Sequence, residues 1–201
     1  MQDAFKKSQI HKSFVVLEKE LVPLTLGHSL LLESHDSAFF TGESVNILEL
    51  AFAAYVCALP YSTVKDLLNR ENPKTIKKLT KECSKWGKKY RKKIKKGDIH
   101  IGEEILWFNE YLNYYLESPV SWSDSNEKNE GNAPWQLTVA AGLMKHLNMS
   151  QDEVLSQPLS WCISLYATLN EMMGGSKVLS QESVDVLERV KRIKAGQEVQ
   201  Q

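Results

Sequence analysis

Lysines recur along one stretch of the chain at a density that suits anion binding. Residues 74–96 hold twelve Lys or Arg and one acid, Glu82, although the whole chain has a formal net charge of zero. Ammonium groups at this density attract phosphates, acidic lipids or carboxylates. A helix that is merely solvated normally intersperses acids at i,i+4 spacing with its lysines, and this stretch has Glu82 alone for that purpose. We therefore expect a surface that binds an anionic partner.

The spacing of apolar residues tells which way these lysines point. An apolar stripe at steps of three and four predicts a helix over 73–96, with a buried face formed by Ile76, Leu79, Cys83, Trp86, Tyr90 and Ile94. Asn72 before Pro73 is a start signal for this helix, and Gly97 is an end signal. We predict that the lysines radiate outward as the partner-binding or anion-binding face, formed by Lys77, Lys78, Lys81, Lys85, Lys88, Lys92 and Lys95.

The type of partner stays open at this point, because three classes of anion fit. They are nucleic acid (RNA or DNA), an acidic surface of another protein, and an acidic surface of this same chain. Residues 97–175 carry eleven Asp or Glu against two Lys, and the intramolecular alternative points to Glu103, Glu104, Glu110 and Glu117. Bases could stack on aromatic rings that interleave with charge, such as Trp86 and Tyr90. Core packing explains these two rings better, since both lie on the apolar stripe.

Candidate catalytic chemistry is limited to one cluster, in which Glu33 and Asp36 flank His35 near the end of a predicted helix. Carboxylates beside a histidine are common at helix ends, so we assign this cluster no catalytic role. The five histidines show no metal-ligand spacing with cysteine or carboxylate, and the sequence has no glycine-rich phosphate loop. We predict a protein that is not an enzyme, with no catalytic residue, no bound metal and no cofactor.

The predicted secondary-structure elements indicate a mainly α fold, a multi-helix bundle with a small N-terminal β-hairpin. The hairpin strands are expected at 14–17 and 21–24, around the connection 18–20. Thr25 is the predicted N-cap of a helix over 26–34, and Ser44 of an almost wholly apolar helix over 43–59. Further helices are predicted over 63–69 after Ser62, 103–117, 135–147, 151–156 with a capping box, from Pro158 to Gly174, and after Ser180.

The composition of residues 118–134 divides the chain. This Ser-, Asn-, Glu-, Gly- and Pro-containing stretch is a predicted linker between an N-terminal part, 1–117, and a C-terminal helical part, 135–201. The predicted core includes Leu30, Ile47, Leu50, Ala54, Leu143, Leu165 and Leu169. The three cysteines, Cys57, Cys83 and Cys162, are expected to be small core residues.

The distribution of apolar residues and cysteines along the sequence indicates the cellular compartment. No apolar run approaches the ~20 residues that span a bilayer, and the first twelve residues are polar, so we expect no membrane partner and a cytoplasmic protein. An odd number of widely spaced cysteines fits a reducing compartment. The sequence does not indicate an oligomeric state.

Three stretches resemble small proteins encoded among the tail genes of prophages. Val22-Pro-Leu-Thr-Leu-Gly-His-Ser-Leu-Leu-Leu32 resembles their "PLTLGHALLL" opening, and Ala54-Tyr-Val-Cys-Ala-Leu-Pro60 resembles the segment that follows. Residues 148–158, continued to Glu171-Met-Met-Gly-Gly175, are similar to their C-terminal pattern. The resemblance implies a phage tail-assembly protein of the chaperone type, which binds the tape-measure or tail-tube protein before assembly. The basic helix is not part of that pattern.

Overall fold

The structure, a computed structural model, describes residues 12–69, 73–119, 121–122, 134–175, 177–179 and 183–185. It is mainly α with a small N-terminal hairpin, as predicted. The N-terminal elements are β1 Phe14–Val16, β2 Lys19–Leu21, α1 Leu26–Glu33, α2 Ala38–Thr41, α3 Ile47–Cys57, α4 Tyr61–Leu68, α5 Pro73–Lys96 and α6 Ile101–Leu116. They are followed by β3 Ser121–Trp122, α7 Trp135–Leu147, α8 Gln151–Ser156, α9 Leu159–Met172 and β4 Lys177–Val178.

The hairpin turns more tightly than the sequence predicts. β1 and β2 are antiparallel, with Val16 opposite Lys19, so the connection is the pair Leu17-Glu18 alone. Both residues have positive φ, 48° and 60°, which matches the twist of a two-residue hairpin turn. Leu17 tolerates this conformation because its side chain is fully buried and its N–H donates to Glu104 Oε2 at 2.6 Å. The first strand begins at Phe14 as predicted, whereas the second begins two residues earlier than predicted.

Two predicted helix starts are confirmed by their caps. Thr25 Oγ1 accepts a hydrogen bond from His28 N at the start of α1. Ser150 Oγ accepts from Glu153 N, and the Glu153 carboxylate accepts from Ser150 N at 2.7 Å, which completes the capping box of α8. These hydrogen bonds satisfy backbone donors that the first turn of a helix leaves unpaired.

Other boundaries differ from the prediction. α3 begins at Ile47 rather than at residue 43, because Asn46 Oδ1, not the Ser44 hydroxyl, accepts from the N–H groups of the first turn. α4 begins at Tyr61 after Pro60 rather than after Ser62, and α6 begins at Ile101 rather than at residue 103. The sequence did not predict α2. Most of the predicted helix after Ser180 lies outside the described residues.

α3 lies in the centre of the core and packs against α5, α1 and α6. Five of the predicted core residues are buried: Ile47, Leu50, Ala54, Leu143 and Leu169. Leu30 and Leu165 are half-buried and pack against this core, so the prediction holds for them only in part. All three cysteines are buried and unpaired, which confirms their assignment as core residues.

The helices after the predicted linker pack directly against the N-terminal part. Leu26 N donates to Gln157 O at 3.1 Å, and Leu159 N donates to Leu24 O at 2.7 Å. α9 also contacts α6 and α1. Most of 118–134 lies outside the described residues, but β3 within it pairs antiparallel with β4, which places Trp122 opposite Lys177. The division into 1–117, 118–134 and 135–201 stays a prediction.

Gly87 lies where α5 crosses α3, so a side chain at this position would meet residues of α3. A Cβ atom there would lie 2.9 Å from Leu48 Cδ2 and 3.5 Å from Ala51 Cβ. We expect Gly87→Leu to lower the free energy of unfolding by about 1–3 kcal/mol, because the larger side chain forces the two helices apart. Urea denaturation would measure this change.

Gly102 in α6 is the matched control, since a Cβ atom there meets nothing within 4 Å. Gly102→Leu is expected to raise stability slightly, because glycine is the poorer helix former by about 1 kcal/mol. If Gly87→Leu is as stable as this control, the close approach of α5 to α3 is wrong.

Candidate anion-binding surface

The phase of α5 is fixed by its apolar face. Leu79, Cys83 and Tyr90 are buried against the core, and Trp86 and Ile94 are half-buried. The predicted stripe is thus confirmed for these five residues, whereas the side chain of Ile76 lies outside the described part. A helix anchored along one side must present its other side to solvent.

The outward side of α5 is a continuous strip of ammonium groups, which we call the lysine stripe. Its seven members are the residues predicted from the sequence, and all are exposed: Lys77, Lys78, Lys81, Lys85, Lys88, Lys92 and Lys95. At 3.6 residues per turn they fall within an arc of about 100°, and they extend over roughly 27 Å of helix axis. The fold therefore places the predicted anion-binding residues on one side of α5.

The lysine stripe is not neutralised by carboxylates of the described residues. None of its seven ammonium groups forms an ion pair there, and the four acids proposed as an internal counter-surface are not paired with them. Instead Glu104 accepts from Leu17 N, and Glu110 pairs with Lys12 at 2.6 Å. The stripe therefore keeps its capacity to attract an external anion.

Two lysines beside the stripe do find an internal partner, Glu18 of the hairpin turn. Lys93 Nζ bonds to its Oε1, and Lys89 Nζ lies 3.7 Å from Oε2. The hydrogen bond from Lys93, followed by that from Tyr90 Oη at 2.8 Å, lowers the pKa of Glu18 to about 2. Glu18 remains ionised throughout the neutral range, and it ties the hairpin to α5.

The single acid of α5 is also engaged away from the stripe. Glu82 Oε2 accepts a hydrogen bond from Tyr55 Oη of α3. Burial, and then this carboxylate, raise the pKa of the Tyr55 phenol to about 12, so the phenol keeps its proton. Glu82 therefore joins two helices rather than neutralising neighbouring lysines.

The aromatic rings of α5 pack inward, as predicted. Trp86 packs edge-on against Tyr90 at 5.1 Å and against Tyr55 at 5.9 Å between ring centroids. The Lys19 ammonium of β2 lies 5.3 Å from the Trp86 ring and 4.6 Å from Tyr55. These rings are occupied by protein contacts and do not offer a stacking platform for bases.

An apolar depression lies beside the lysine stripe, and we call it the groove. It has a volume of about 360 Å³ between α3, α4 and α5, and its apolar lining residues are Leu48, Phe52, Leu67, Leu79 and Cys83. The carboxylate-bearing Glu49 of α3 also lines it. Thr80 and Ser84 of α5 also line it, and on the helix they separate the apolar face from the stripe. An apolar depression thus borders a row of cations.

The candidate catalytic cluster is not assembled in the structure. Glu33 is half-buried at the end of α1, while His35 and Asp36 are exposed in the turn that follows. The His35 ring packs against Phe52 at 5.4 Å, at one end of the groove. Within the described residues no side-chain hydrogen bond joins the three. The described part of the chain also holds no group of three metal-ligating side chains close enough to share an ion.

Sequence reasoning missed a buried histidine, His28 of α1. Its Nδ1 lies 2.7 Å from Thr25 Oγ1, and its Nε2 lies 2.9 Å from the Leu59 carbonyl oxygen. A neutral ring satisfies both contacts, with Thr25 donating to Nδ1 and Nε2–H donating to the carbonyl. Burial lowers the pKa of His28 from 6.5 to about 4. The ring thus links α1 to the end of α3 as an uncharged group.

This histidine predicts a loss of stability in acid. Between pH 6.5 and about 4 the unfolded chain binds a proton that folded His28 does not, so the free energy of unfolding falls as the pH decreases. The full effect is about 3 kcal/mol, from 1.36 kcal/mol per pKa unit. NMR titration of the imidazole in the native chain measures the pKa of folded His28 directly. A midpoint near 4 is expected, and a midpoint near 6.5 would contradict the buried position.

A second exposed apolar surface lies on the outer side of α6. Leu106 is 69 % exposed and Trp107 is 53 % exposed, whereas Phe108, Leu112 and Tyr115 of the same helix are buried. Glu103 and Glu110 flank the two exposed apolar side chains. Sequence reasoning considered Glu103 and Glu110 only as part of an internal counter-surface for the lysines.

Comparison with known proteins adds no relative. No protein-family model, curated protein or solved structure matches the chain. In the part of the chain that the structure describes, no individual helix combines the length and the apolar character needed to cross a bilayer.

Proposed function

We propose that this protein is a non-enzymatic, cytoplasmic phage tail-assembly factor that binds a tail structural protein, such as the tape-measure or tube protein. The lysine stripe is its binding surface. The observation that carries this proposal is the line of seven exposed lysines that no carboxylate of the described residues neutralises. The resemblance of residues 22–32, 54–60 and 148–175 to prophage tail-gene products supplies the class of partner.

An acidic protein segment suits this surface better than nucleic acid does. The Trp86 and Tyr90 rings, on which bases would stack, are already packed against Tyr55 and each other. The groove beside the stripe offers apolar contact, which the side chains of a protein partner supply and a phosphate backbone does not. Nucleic acid binding through the same lysines is the alternative that the experiment below distinguishes.

The stripe also fits the reversible binding that an assembly factor needs. Each exposed ion pair contributes little, about 0.2–1 kcal/mol, so affinity comes from several lysines acting together. Such a complex forms quickly through long-range attraction and dissociates when other contacts replace it. The factor would thus cover an acidic segment until the tail structure takes it over.

Co-expression with the products of neighbouring genes tests the proposal. If those genes encode tube and tape-measure proteins, affinity capture of this chain should recover one of them, and nuclease treatment should not reduce the yield. Retention of nucleic acid alone, with an affinity that falls steeply as salt is raised, would favour the alternative.

A further inference from the structure

The chain carries two surfaces of complementary chemistry. One is the groove with the lysine stripe along its border. The other, which we call the acidic patch, consists of Glu103, Leu106, Trp107 and Glu110, which line an open depression on the outer side of α6. The two surfaces share no residue. We propose that a second copy of this chain occupies the groove, with the acidic patch of one copy docked on the groove and lysine stripe of the next.

The apolar parts of the two surfaces match in character. Leu106 and Trp107 are adjacent large side chains that expose 69 % and 53 % of their surface in the middle of a helix. The groove has a volume of about 360 Å³, within the size range of pockets that enclose compact apolar groups. Its apolar lining residues are Leu48, Phe52, Leu67, Leu79 and Cys83, and its polar ones are His35, Glu49, Thr80 and Ser84. Docking would remove apolar area of both surfaces from water, which is favourable.

The charges match in sign and in spacing. Glu103 and Glu110 are seven residues apart on α6, and Lys81 and Lys88 are seven residues apart on α5. In each helix that spacing is two turns, about 10.5 Å. Two carboxylates can therefore meet two ammonium groups at once when the helices lie side by side. Glu110 gives up its exposed pair with Lys12, which costs little.

The geometry of this contact has a consequence for assembly. Each copy binds one neighbour through its Glu103–Glu110 surface and another neighbour through its groove and lysine stripe. The contact is therefore heterologous, and it propagates into a ring or a filament. One helix face against one groove is a small interface, at the weak end of the range for protein pairs. We expect a dissociation constant of about 10 µM to 1 mM and strong weakening by salt. A tail protein bound to the lysine stripe would compete with this self-association.

Sedimentation velocity on the purified chain, from about 10 µM to 1 mM, tests the proposal without any tail protein. The average mass is expected to rise with concentration at low salt and to fall back when salt is added. Trp107→Ser should remove the rise, while Met172→Ser, at a residue that is 78 % exposed elsewhere, should not. A native chain that stays monomeric at every concentration, or a Trp107→Ser chain that associates like the native one, would overturn the proposal.

A charge exchange gives the decisive comparison. One variant carries Glu103→Lys and Glu110→Lys, and the other carries Lys81→Glu and Lys88→Glu. Each alone places like charges in the contact and should stay monomeric, while an equimolar mixture restores opposite charges in both directions and should associate. Thermal melting verifies that both variants are folded. A mixture of folded variants that does not associate would refute the docking geometry. Because this experiment uses only this chain, its failure would leave the proposed tail-protein binding untouched.

Discussion

Replacing Lys85, Lys88, Lys92 and Lys95 together by Gln is expected to weaken binding to a tail structural protein roughly 5- to 150-fold at low salt. That range corresponds to about 1–3 kcal/mol for four exposed ion pairs. Folding should be nearly unaffected, with a change in melting temperature of about 2 °C or less, because all four side chains project into solvent. Calorimetric titration at two salt concentrations, together with thermal melting, measures both effects.

The control variant has the same change in net charge away from α5. Lys12, Lys65, Lys145 and Lys177 replaced by Gln remove four positive charges but leave the lysine stripe whole. Binding by this control should stay within about twofold of native, since the removed charges lie outside the stripe and are screened by salt. Unfolding of the stripe variant would show instead that its lysines stabilise the fold. Equal weakening of binding by both variants would show that binding depends on the net charge of the chain and not on the stripe.

Leu50→Ala is expected to cause the largest loss of stability, about 2–5 kcal/mol. Leu50 is fully buried on α3, the helix that contacts α5, α1 and α6, so truncation leaves a cavity that three helices must close. Leu165 is a useful comparison because it is only half-buried on α9. Leu165→Ala should cost below about 2 kcal/mol, since less apolar surface is lost from the core.

Urea denaturation with a constant m-value measures both losses. A loss below about 0.5 kcal/mol for Leu50→Ala would place that residue on the surface and would mean that α3 is rotated relative to the core. A larger loss at Leu165 than at Leu50 would contradict the relative burial of the two leucines.

The basic helix could be predicted from sequence because every local signal agreed. Pro73 and Gly97 mark the ends of the helix, and the spacing of Leu79, Cys83 and Tyr90 identifies its buried side. The lysines on the opposite side must then face solvent. The capping box of α8 is another signal contained within four residues. Features of this kind depend on near neighbours in the chain, and that is why they can be predicted from sequence.

The features that were missed depend on contacts between distant residues. A left-handed Leu17 has no sequence signal, because it follows from burial of its side chain and from Glu104, 87 residues away. The pairing of Glu18 with Lys93 joins residues 75 apart. The groove arises only where α3, α4 and α5 meet, and periodicity within one helix does not indicate it.

The central claim is that the lysine stripe binds carboxylates of another protein. Zero-length carbodiimide cross-linking of the complex with a tail structural protein tests it most directly, since this reagent joins an ammonium group only to a carboxylate in contact with it. The account predicts cross-links from Lys85, Lys88, Lys92 and Lys95 to acidic residues of the tail protein, while Lys93 joins Glu18 of its own copy. Cross-links from the stripe to Glu103, Glu104, Glu110 or Glu117 of the same copy, with none to the tail protein, would contradict it.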